Sequence, residues 1–425
     1  MPKHASRARK LSSEQLLELI VGQRWFASKA REPDRARVSG IHHAEGGLVL
    51  AIVEVRFPER THETYALALG FVEGRPFDAL GEAEMCRSLA QLAGVRTAGR
   101  VVRPMGVEQS NSSVVLDEAH VLKLYRRLEA GPNPELEVLR ALGVRGFAHA
   151  PPLQGAIEHQ GRPLDATLAT VTGFVPSHGG GWELTLDSLS AHPEWLPDRA
   201  RRLGEVTGLM HSVLAADEAD PVFAPEEPSA EAMSLLVASV DEEIRRLFSN
   251  LPRLPGLEPI AGRGEDLCYL LRGLPQSVPS GLVLRIHGDY HLGQVLWSDR
   301  DDWVVIDFEG EPGRSLPERR QRQSALRDVA GMVRSFAYAA DAAELLRGVK
   351  PPAGWAQACR ERFLAGYRET VDPRLLPASE EGRERLLMLF ELQKLLYELR
   401  YEVGNRPDWS SVPAVGLARL LERSP

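Results

Sequence analysis

Apolar positions along the chain follow two periods, and the change from one to the other divides it. Near the start, Leu16, Leu17, Ile20 and Val21 share one face of a helical repeat, with Ser12 placed to cap it and Gln15 three residues on. "GLVLAIVEVRFPE" and "ETYALALGFVEG" follow, apolar and rich in β-branched residues, and predict two strands; a helix is expected over "FDALGEAEMCRSLAQLAG". Residues 1–100 thus read as a small α/β unit. From Val101, "VVRPMGVEQSNSSVVLDEAHVLKLYRRL" reads as strand, polar loop, strand, Asp-Glu turn, strand. Asn133 and Pro134 then open a helix over "NPELEVLRALG" as N-cap and first helical residue. "LDATLATVTGFV" predicts an apolar strand running into a glycine linker at Gly179, Gly180 and Gly181, so a second part is expected over 101–178. Beyond it the helical period dominates over 179–425, in segments such as "DRARRLGEVTGLMHSVLAA", "ALRDVAGMVRSFAYAADAAELL" and "EGRERLLMLFELQKLLYELRYEVG".

Composition changes this picture little. The 425 residues are 43% hydrophobic and 26% charged, enough for two or three lobes with sizeable cores. A net charge of −8 disfavours broad nucleic-acid binding, which needs a basic face, but leaves room for a small polyanion held by a few local cations. Cys86, Cys268 and Cys359 are far apart, so neither structural zinc nor a disulfide framework is expected, and reduced cytoplasmic thiols are the simple reading. The basic start "MPKHASRARK" leads into an amphipathic helix rather than a secretory apolar core, and no run of about 18 apolar residues predicts a membrane span. The expectation is a cytoplasmic monomer with no nucleic-acid or membrane partner.

The candidate chemistry lies in "RIHGDYHLGQVLWSDRDDWVVIDFEGEP". Asp289 sits beside Gly288 in a tight loop, where a carboxylate is suited to take the proton of a hydroxyl attacking phosphorus. His287 and His291 flank it and are placed to fix the loop. Gln294 can offer an amide oxygen to Mg²⁺. The short strand "WVVI" delivers Asp307, and by strand alternation Glu309, to the same cation while Phe308 points away. Phosphoryl transfer from ATP then demands a strand lysine for the phosphates and a helix glutamate to hold it. Lys123 lies between Leu122 and Leu124 in an apolar strand. Of the two acids on the next helix, Glu137 is chosen, because Glu135, near the N-terminus, can serve the helix dipole instead. "EQSNSSVV" takes the place of a phosphate-covering loop: it lacks glycines, but Ser110, Asn111, Ser112 and Ser113 offer hydroxyls and N–H groups.

These residues together resemble the maltokinase-like sugar kinases, which are similar in fold to aminoglycoside phosphotransferases and protein kinases. The resemblance runs from "QRWFASKAR" through "EQSNSSVVLDEAHVLKLYRR", "HGDYHLGQVL", "IDFEGEP" and "ALRDVAGMVRSFAYAA" to "KLLYELRYEVGNRPDW", nearly the whole chain. It implies an α+β, bilobal, protein-kinase-like fold with an N-terminal cap, a β-rich nucleotide lobe and a mostly helical C-terminal lobe. It also implies ATP, Mg²⁺ and a free sugar as acceptor. Matching positions make Asp289 the catalytic base, Gln294 and Asp307 metal ligands and Lys123 the ATP lysine. The adenine is expected against main-chain groups of Thr172, Gly173, Phe174 and Val175. At the sugar, His287, Asp289, His291, Lys394, Tyr397, Glu398, Glu402 and Trp409 are expected, since the C-terminal helix should face the acceptor.

Glu398 and Glu402 lie one helical turn apart, where paired carboxylates could hold a 2-ammonium group, and Trp409 offers a face for a pyranose. Two departures from the maltokinase pattern bear on the sugar. The segment between Arg24-Trp25 and the loop at Ser110 is short, and Gln393-Lys394 and Leu399-Arg400 replace the usual residues of the acceptor motif. A changed acceptor face favours D-glucosamine, giving glucosamine 6-phosphate, over maltose, giving maltose 1-phosphate. An aminoglycoside kinase ranks third. A non-catalytic pseudokinase predicts loss of the lysine, the base or a metal ligand, and all are present. A protein kinase is disfavoured because only "GEPGRSLPERRQRQSAL" separates Phe308-Glu309 from "RDVAG", too little for a peptide-docking segment.

Overall fold

The computed structural model describes residues 2–105, 111–229, 231–273 and 281–422. It divides into two compact units, Met1–Pro176 with Pro312–Arg319, and Ser177–Glu311 with Arg320–Pro425.

The first unit opens with helices α1 (Pro2–Arg9) and α2 (Ser13–Ile20). Ser12 caps α2 as its sequence promises: Gln15 N–H donates to Ser12 Oγ (3.2 Å) and Ser12 N–H to Gln15 Oε1 (3.0 Å). An antiparallel sheet follows in the order β1 (Arg35–His43), β2 (Val49–Arg56), β3 (His62–Val72), β4 (Arg75–Asp78). Strand β2 is apolar on both faces because it separates two cores. Val49, Ala51, Val53 and Val55 join Leu16, Ile20, Trp25 and Phe26, while Leu50 and Ile52 join Leu89, Val114, Leu122 and Leu124. Each Val, Leu or Ile among them contributes about 1.5–3 kcal/mol by leaving water. Strand β1 escapes the sequence pattern because a bulge between Val38 and Gly40 breaks its alternation. The helix expected from Phe77 begins only at Ala83, as α3 (Ala83–Leu92). Phe77 and Asp78 belong to β4, and Asp78 turns the chain by accepting from Leu80 N–H at 3.1 Å.

A second antiparallel sheet contains β5 (Val102–Pro104), β6 (Asn111–Leu116), β7 (His120–Tyr125), β9 (Leu153–His159) and β10 (Ala166–Gly173), in the order β5-β6-β7-β10-β9. The two-residue β8 (Arg127–Leu128) leaves β7 to pair with β3 of the first sheet, and α4 (Pro134–Val144) follows, capped by Asn133. Segment Pro312–Arg319 joins this unit through Glu129, which accepts from Leu316 N–H and pairs with Arg319, both at 2.8 Å.

His42 of β1 and His159 of β9 also join the two sheets, Nε2 to Nδ1 at 2.9 Å. Burial, then the neighbouring His159 and His43, hold the His42 imidazole below its ordinary value of 6.5. The unfolded chain therefore binds a proton that the folded one resists. The stability this pair contributes is present above about pH 6.5 and lost as pH falls below it. Thermal melts of the wild type should drop between neutral and mildly acidic pH, and His42→Gln should flatten that drop; parallel curves would contradict it.

The second unit begins at β11 (Ser177–Gly180), which pairs with β12 (Val295–Ser298) and through it with β13 (Trp303–Val305). The three glycines are thus no linker: two end β11 and the third opens α5 (Gly181–Ser188). A Cβ on Gly181 would lie 2.7 Å from Val295 Cγ2 and 2.9 Å from the Leu292 carbonyl, so only glycine lets the segment pass this close. Helices α6 (Trp195–Leu214), α7 (Ala232–Ser249) and α8 (Gly264–Gly273) follow. After β13 and the short α9 (Leu316–Arg319) of the first unit come α10 (Leu326–Arg347), α11 (Trp355–Thr370), α12 (Glu380–Asn405) and α13 (Ser411–Glu422). Trp303 packs edge-on to Trp195 and Trp297, with ring centroids 5.8 and 5.0 Å away, and its Nε1–H donates to the Arg199 carbonyl at 3.1 Å. This cluster seats β12 and β13, and so the residues that flank them, on α6. Among the described residues no helix is long and apolar enough to cross a membrane.

Candidate active site

The loop bearing Asp289 is held from beneath by a residue to which the sequence reading assigned no role. Asp328, at the start of α10 and 2% exposed, accepts from His287 N–H (2.8 Å) and Gly288 N–H (2.9 Å) and lies 3.1 Å from His211 Nε2. Burial works to raise its pKa, but His211, His287 and the Gly288 N–H outweigh it, so the carboxylate stays ionised below its ordinary value. Tyr367 OH, 3.0 Å from His211 Nδ1, holds that imidazole in turn. Gly288 adopts φ +86°, which suits glycine alone among ordinary residues, and lets the chain turn between the two N–H groups. The signal for Asp328 was present: an acid beside Val329, Ala330, Met332 and Val333, all buried, needs buried donors.

His287 is expected at the sugar, and the structure corrects this. It is 1% exposed, between the rings of Tyr290 and Phe308, with centroids 5.2 and 5.0 Å away. Its Nε2 lies 2.9 Å from the Ile306 carbonyl, and its Nδ1 accepts from Asp289 N–H at 3.4 Å. The ring fastens the Asp289 loop to the end of β13 and has no face to offer a ligand.

Asp289 is half-buried. Lys394 Nζ of α12 lies 3.2 Å from its Oδ1, and His291 Nε2 lies 3.8 Å from its Oδ2. His291 is aimed there because its Nδ1 accepts from Gly293 N–H at 3.0 Å, capping the turn Leu292–Gln294. Burial alone would raise the Asp289 pKa. The Lys394 ammonium and then His291 reverse this and hold the carboxylate well below the usual range. These cations favour the ionised form of Asp289, a hydrogen-bond acceptor. Burial opposes charge on Lys394, while Asp289, Glu398 and Glu311 raise its pKa. Lys394→Met should move the Asp289 pKa up and bring a new acid limb into the pH profile of kcat/KM. A variant profile of unchanged shape would contradict this electrostatic account.

Gln294, Asp307 and Glu309 meet beside this loop. Gln294 Nε2 lies 3.2 Å from Asp307 Oδ2, and carboxylate oxygens of Asp307 and Glu309 lie within 4.8 Å of one another. Strand pleating is not what unites the two acids. Strand β13 ends at Val305, and Asp307 turns the chain with φ +62°, a left-handed conformation that costs a non-glycine residue roughly 1–3 kcal/mol. Phe308 points into the core, as expected. Two carboxylates and an amide form a hard oxygen donor set that suits Mg²⁺; rotating the Gln294 amide presents its oxygen.

The acceptor helix departs most from expectation. Glu398 and Glu402 do share a face of α12, but each already faces a guanidinium. Arg334 Nε donates to Glu398 at 2.8 Å. Glu402 accepts from Tyr338 OH at 2.9 Å and pairs with Arg406 at 2.6 Å, its side chain 3% exposed. Trp409 stacks on Tyr338 with centroids 6.1 Å apart, and Arg406 covers it at 4.8 Å. Each glutamate thus already has a cationic neighbour; Glu402 and Trp409 pack at the end of α12, while Glu398 stays close enough to Lys394 to raise its pKa. Lys394 and Tyr397, whose ring lies 5.2 Å from the ammonium, are the helix residues beside Asp289.

In the first unit, Lys123 Nζ pairs with Glu135 at 2.9 Å, both side chains nearly buried. The acid beside this ammonium is Glu135, the one of the two that the sequence gives to the helix dipole. Two residues on, a helix side chain has swung about 200° around the axis, and Tyr125 OH fixes Glu135 in place at 2.7 Å. Register separates the polar residues ahead of Lys123. Ser113 lies directly across from Lys123, and Asn111 across from Tyr125, on one face of the sheet. Ser112 lies across from Leu124 on the other face, with its Oγ accepting from Arg126 Nε at 2.8 Å, so its side chain does not serve the Lys123 face. Ser110 lies outside the described residues. Of the expected adenine segment, Gly173 N–H donates to the Pro152 carbonyl and Phe174 N–H to that of Ala119, both at 2.9 Å. Thr172 lies across from Val121, Gly173 ends the pairing across from His120, and Val175 follows the strand.

Comparison with known proteins gives this geometry its family. The sequence profile of the phosphotransferase enzyme family matches residues 101–349. A glucosamine kinase of Mycolicibacterium smegmatis is 30% identical over 348 residues, 78% of this chain and 82% of that protein. One from Streptacidiphilus jiangxiensis is 29% identical over 329 residues, 74% and 72% of the two chains. Among solved structures, a glucosamine kinase in crystal form B matches with a TM-score of 0.75 at 24% identity, covering 96% of this chain and 99% of that one. A glucosamine kinase in complex with glucosamine, ADP and inorganic phosphate matches at 0.72 and 23%, covering 95% and 98%. These likenesses establish the α+β fold that the sequence predicts. With the profile spanning more than half of the residues and a relative 30% identical over most of its own length, the chain belongs to the phosphotransferase enzyme family.

Proposed function

We propose that this protein is an ATP-dependent kinase of a free amino sugar, transferring the γ-phosphoryl group to D-glucosamine and forming glucosamine 6-phosphate. The observation that carries the phosphotransfer reading is Asp289, ionised beside Lys394 on a loop that Asp328 and His287 lock from below. The amino sugar is favoured because the two relatives described above bear that activity in their names. In this reading residues 1–100 form a cap, 101–178 carry the nucleotide and 179–425 carry the acceptor.

Asp289 accepts a hydrogen bond from the sugar hydroxyl and aims its oxygen at phosphorus. As the new O–P bond forms and the bond to the bridging oxygen of ADP breaks, the hydroxyl proton passes to Asp289. A carboxylate of such low pKa is a weak base, so the proton moves late and orientation is its main contribution. Lys123, steadied by Glu135, neutralises phosphate charge. Gln294, Asp307 and Glu309 would hold Mg²⁺, which when bound neutralises charge on the phosphate oxygens. Lys394, Tyr397 and His291 border the acceptor hydroxyl. The cysteines are free and buried, which suits a reducing, ATP-containing compartment such as the cytoplasm, and the enzyme is expected to act as a monomer.

Phosphorus NMR of a reaction with ATP and glucosamine tests this. A phosphomonoester coupled to the sugar C6 protons should grow in step with ADP. ADP with free phosphate and no ester would contradict it.

A further inference from the structure

We infer that Arg126 is a positioning residue: it sets strand β6 from the N-terminal sheet, so that ATP affinity depends on a side chain that touches no nucleotide. The inference rests on the kinase reading above. Arg126 occupies the crossing between β7, which carries Lys123, and β8, which pairs with β3. Its carbonyl accepts from Ala66 N–H at 2.8 Å. Its guanidinium, 2% exposed, gathers three separate segments. Nη2 lies 2.6 Å from Asp78 Oδ2 at the end of β4. Nε donates to Ser112 Oγ in β6 at 2.8 Å. The indole of Trp25, from the Arg24-Trp25 motif that the catalytic reading leaves without a role, lies 4.9 Å from its central carbon.

Apolar residues could fill this place without desolvating a charge, and such exchanges are often neutral or stabilising. The arginine asks for more than filling. Nη1 has no partner among the described residues, so the group is satisfied only by the fork that ties β4 to β6. Loss of that fork frees Ser112, and Ser112 is the strand neighbour of Asn111 and Ser113, which share the Lys123 face. A shift of β6 therefore moves the donors opposite Lys123 without altering anything around Asp289.

Calorimetric ATP titrations of wild type, Arg126→Lys, Ser112→Ala and the double variant test this, with steady-state kinetics beside them. Lysine keeps a charge for Asp78 but lacks the nitrogen that reaches Ser112. Arg126→Lys should raise Kd and KM for ATP about two- to thirtyfold and leave KM for the sugar unchanged. The double variant should bind ATP no worse than the weaker single variant, because both break one link. Unchanged ATP affinity in Arg126→Lys, with only a lower melting temperature, would reduce Arg126 to a structural residue and overturn the inference. Additive losses would overturn it as well, since they would make Ser112 an independent phosphate contact. If the wild type binds no ATP, the kinase reading itself fails, which is a separate result.

Discussion

Asp289→Asn is expected to lower turnover of ATP and glucosamine by about two to four orders of magnitude while ATP still binds with near wild-type affinity. The amide keeps the shape of the carboxylate and can still accept one hydrogen bond, so the sugar hydroxyl retains a partner. It cannot take the proton, and it no longer balances the Lys394 ammonium 3.2 Å away. Turnover at saturating sugar should carry most of the loss, because the proton is transferred only in the transition state. The check is a pair of measurements on one preparation, kcat at saturating substrates and the ATP dissociation constant. Loss of ATP binding in parallel with turnover would mean that Asp289 supports the fold or the nucleotide rather than the acceptor.

The second large effect is expected from Asp328, which touches no reacting atom. Asp328→Ala removes the acceptor for two main-chain N–H groups and the partner of a buried histidine at once. Stranding such groups costs about 3–5 kcal/mol, a large part of the roughly 5–15 kcal/mol that keeps a domain folded. Asp328→Asn is milder, since one oxygen remains for one N–H while its amide NH₂ faces the other. In that variant denaturant unfolding should show a loss of about 2–4 kcal/mol, and kcat should fall on the order of a hundredfold because Asp289 is no longer held in register. The two sites then separate cleanly: Asp289→Asn loses turnover while ATP still binds, and Asp328→Asn loses turnover and stability together. Wild-type stability in Asp328→Asn would show that the loop stands without this anchor.

What could be read from the sequence, and what could not, follows from the range of the interactions. Ser12 with Gln15, and Asn133 with Pro134, are local signals, and the helices begin where they point. The Asp289 loop and the residues Gln294 and Asp307 that meet beside it could be picked out because a short apolar strand separates them at a telling interval. Choices between near neighbours were not. Glu135 against Glu137 is decided by helix rotation and by Tyr125, and Ser112 against Ser113 by a strand register that one residue would invert. Glu398 and Glu402 were recognised as sharing a face, but their guanidinium partners come from Arg334, 64 positions away for Glu398, and from Arg406, four positions on for Glu402. Asp328 and Arg126 show the general case. A charged residue in an apolar stretch announces that buried partners exist, and only the fold names them.

The account turns on the acceptor, and kcat/KM for glucosamine and for maltose, measured with the same saturating ATP, tests that directly. The proposed function predicts a preference for glucosamine over maltose of at least about a hundredfold. A higher kcat/KM for maltose would contradict the proposed function and return the chain to the maltokinase reading.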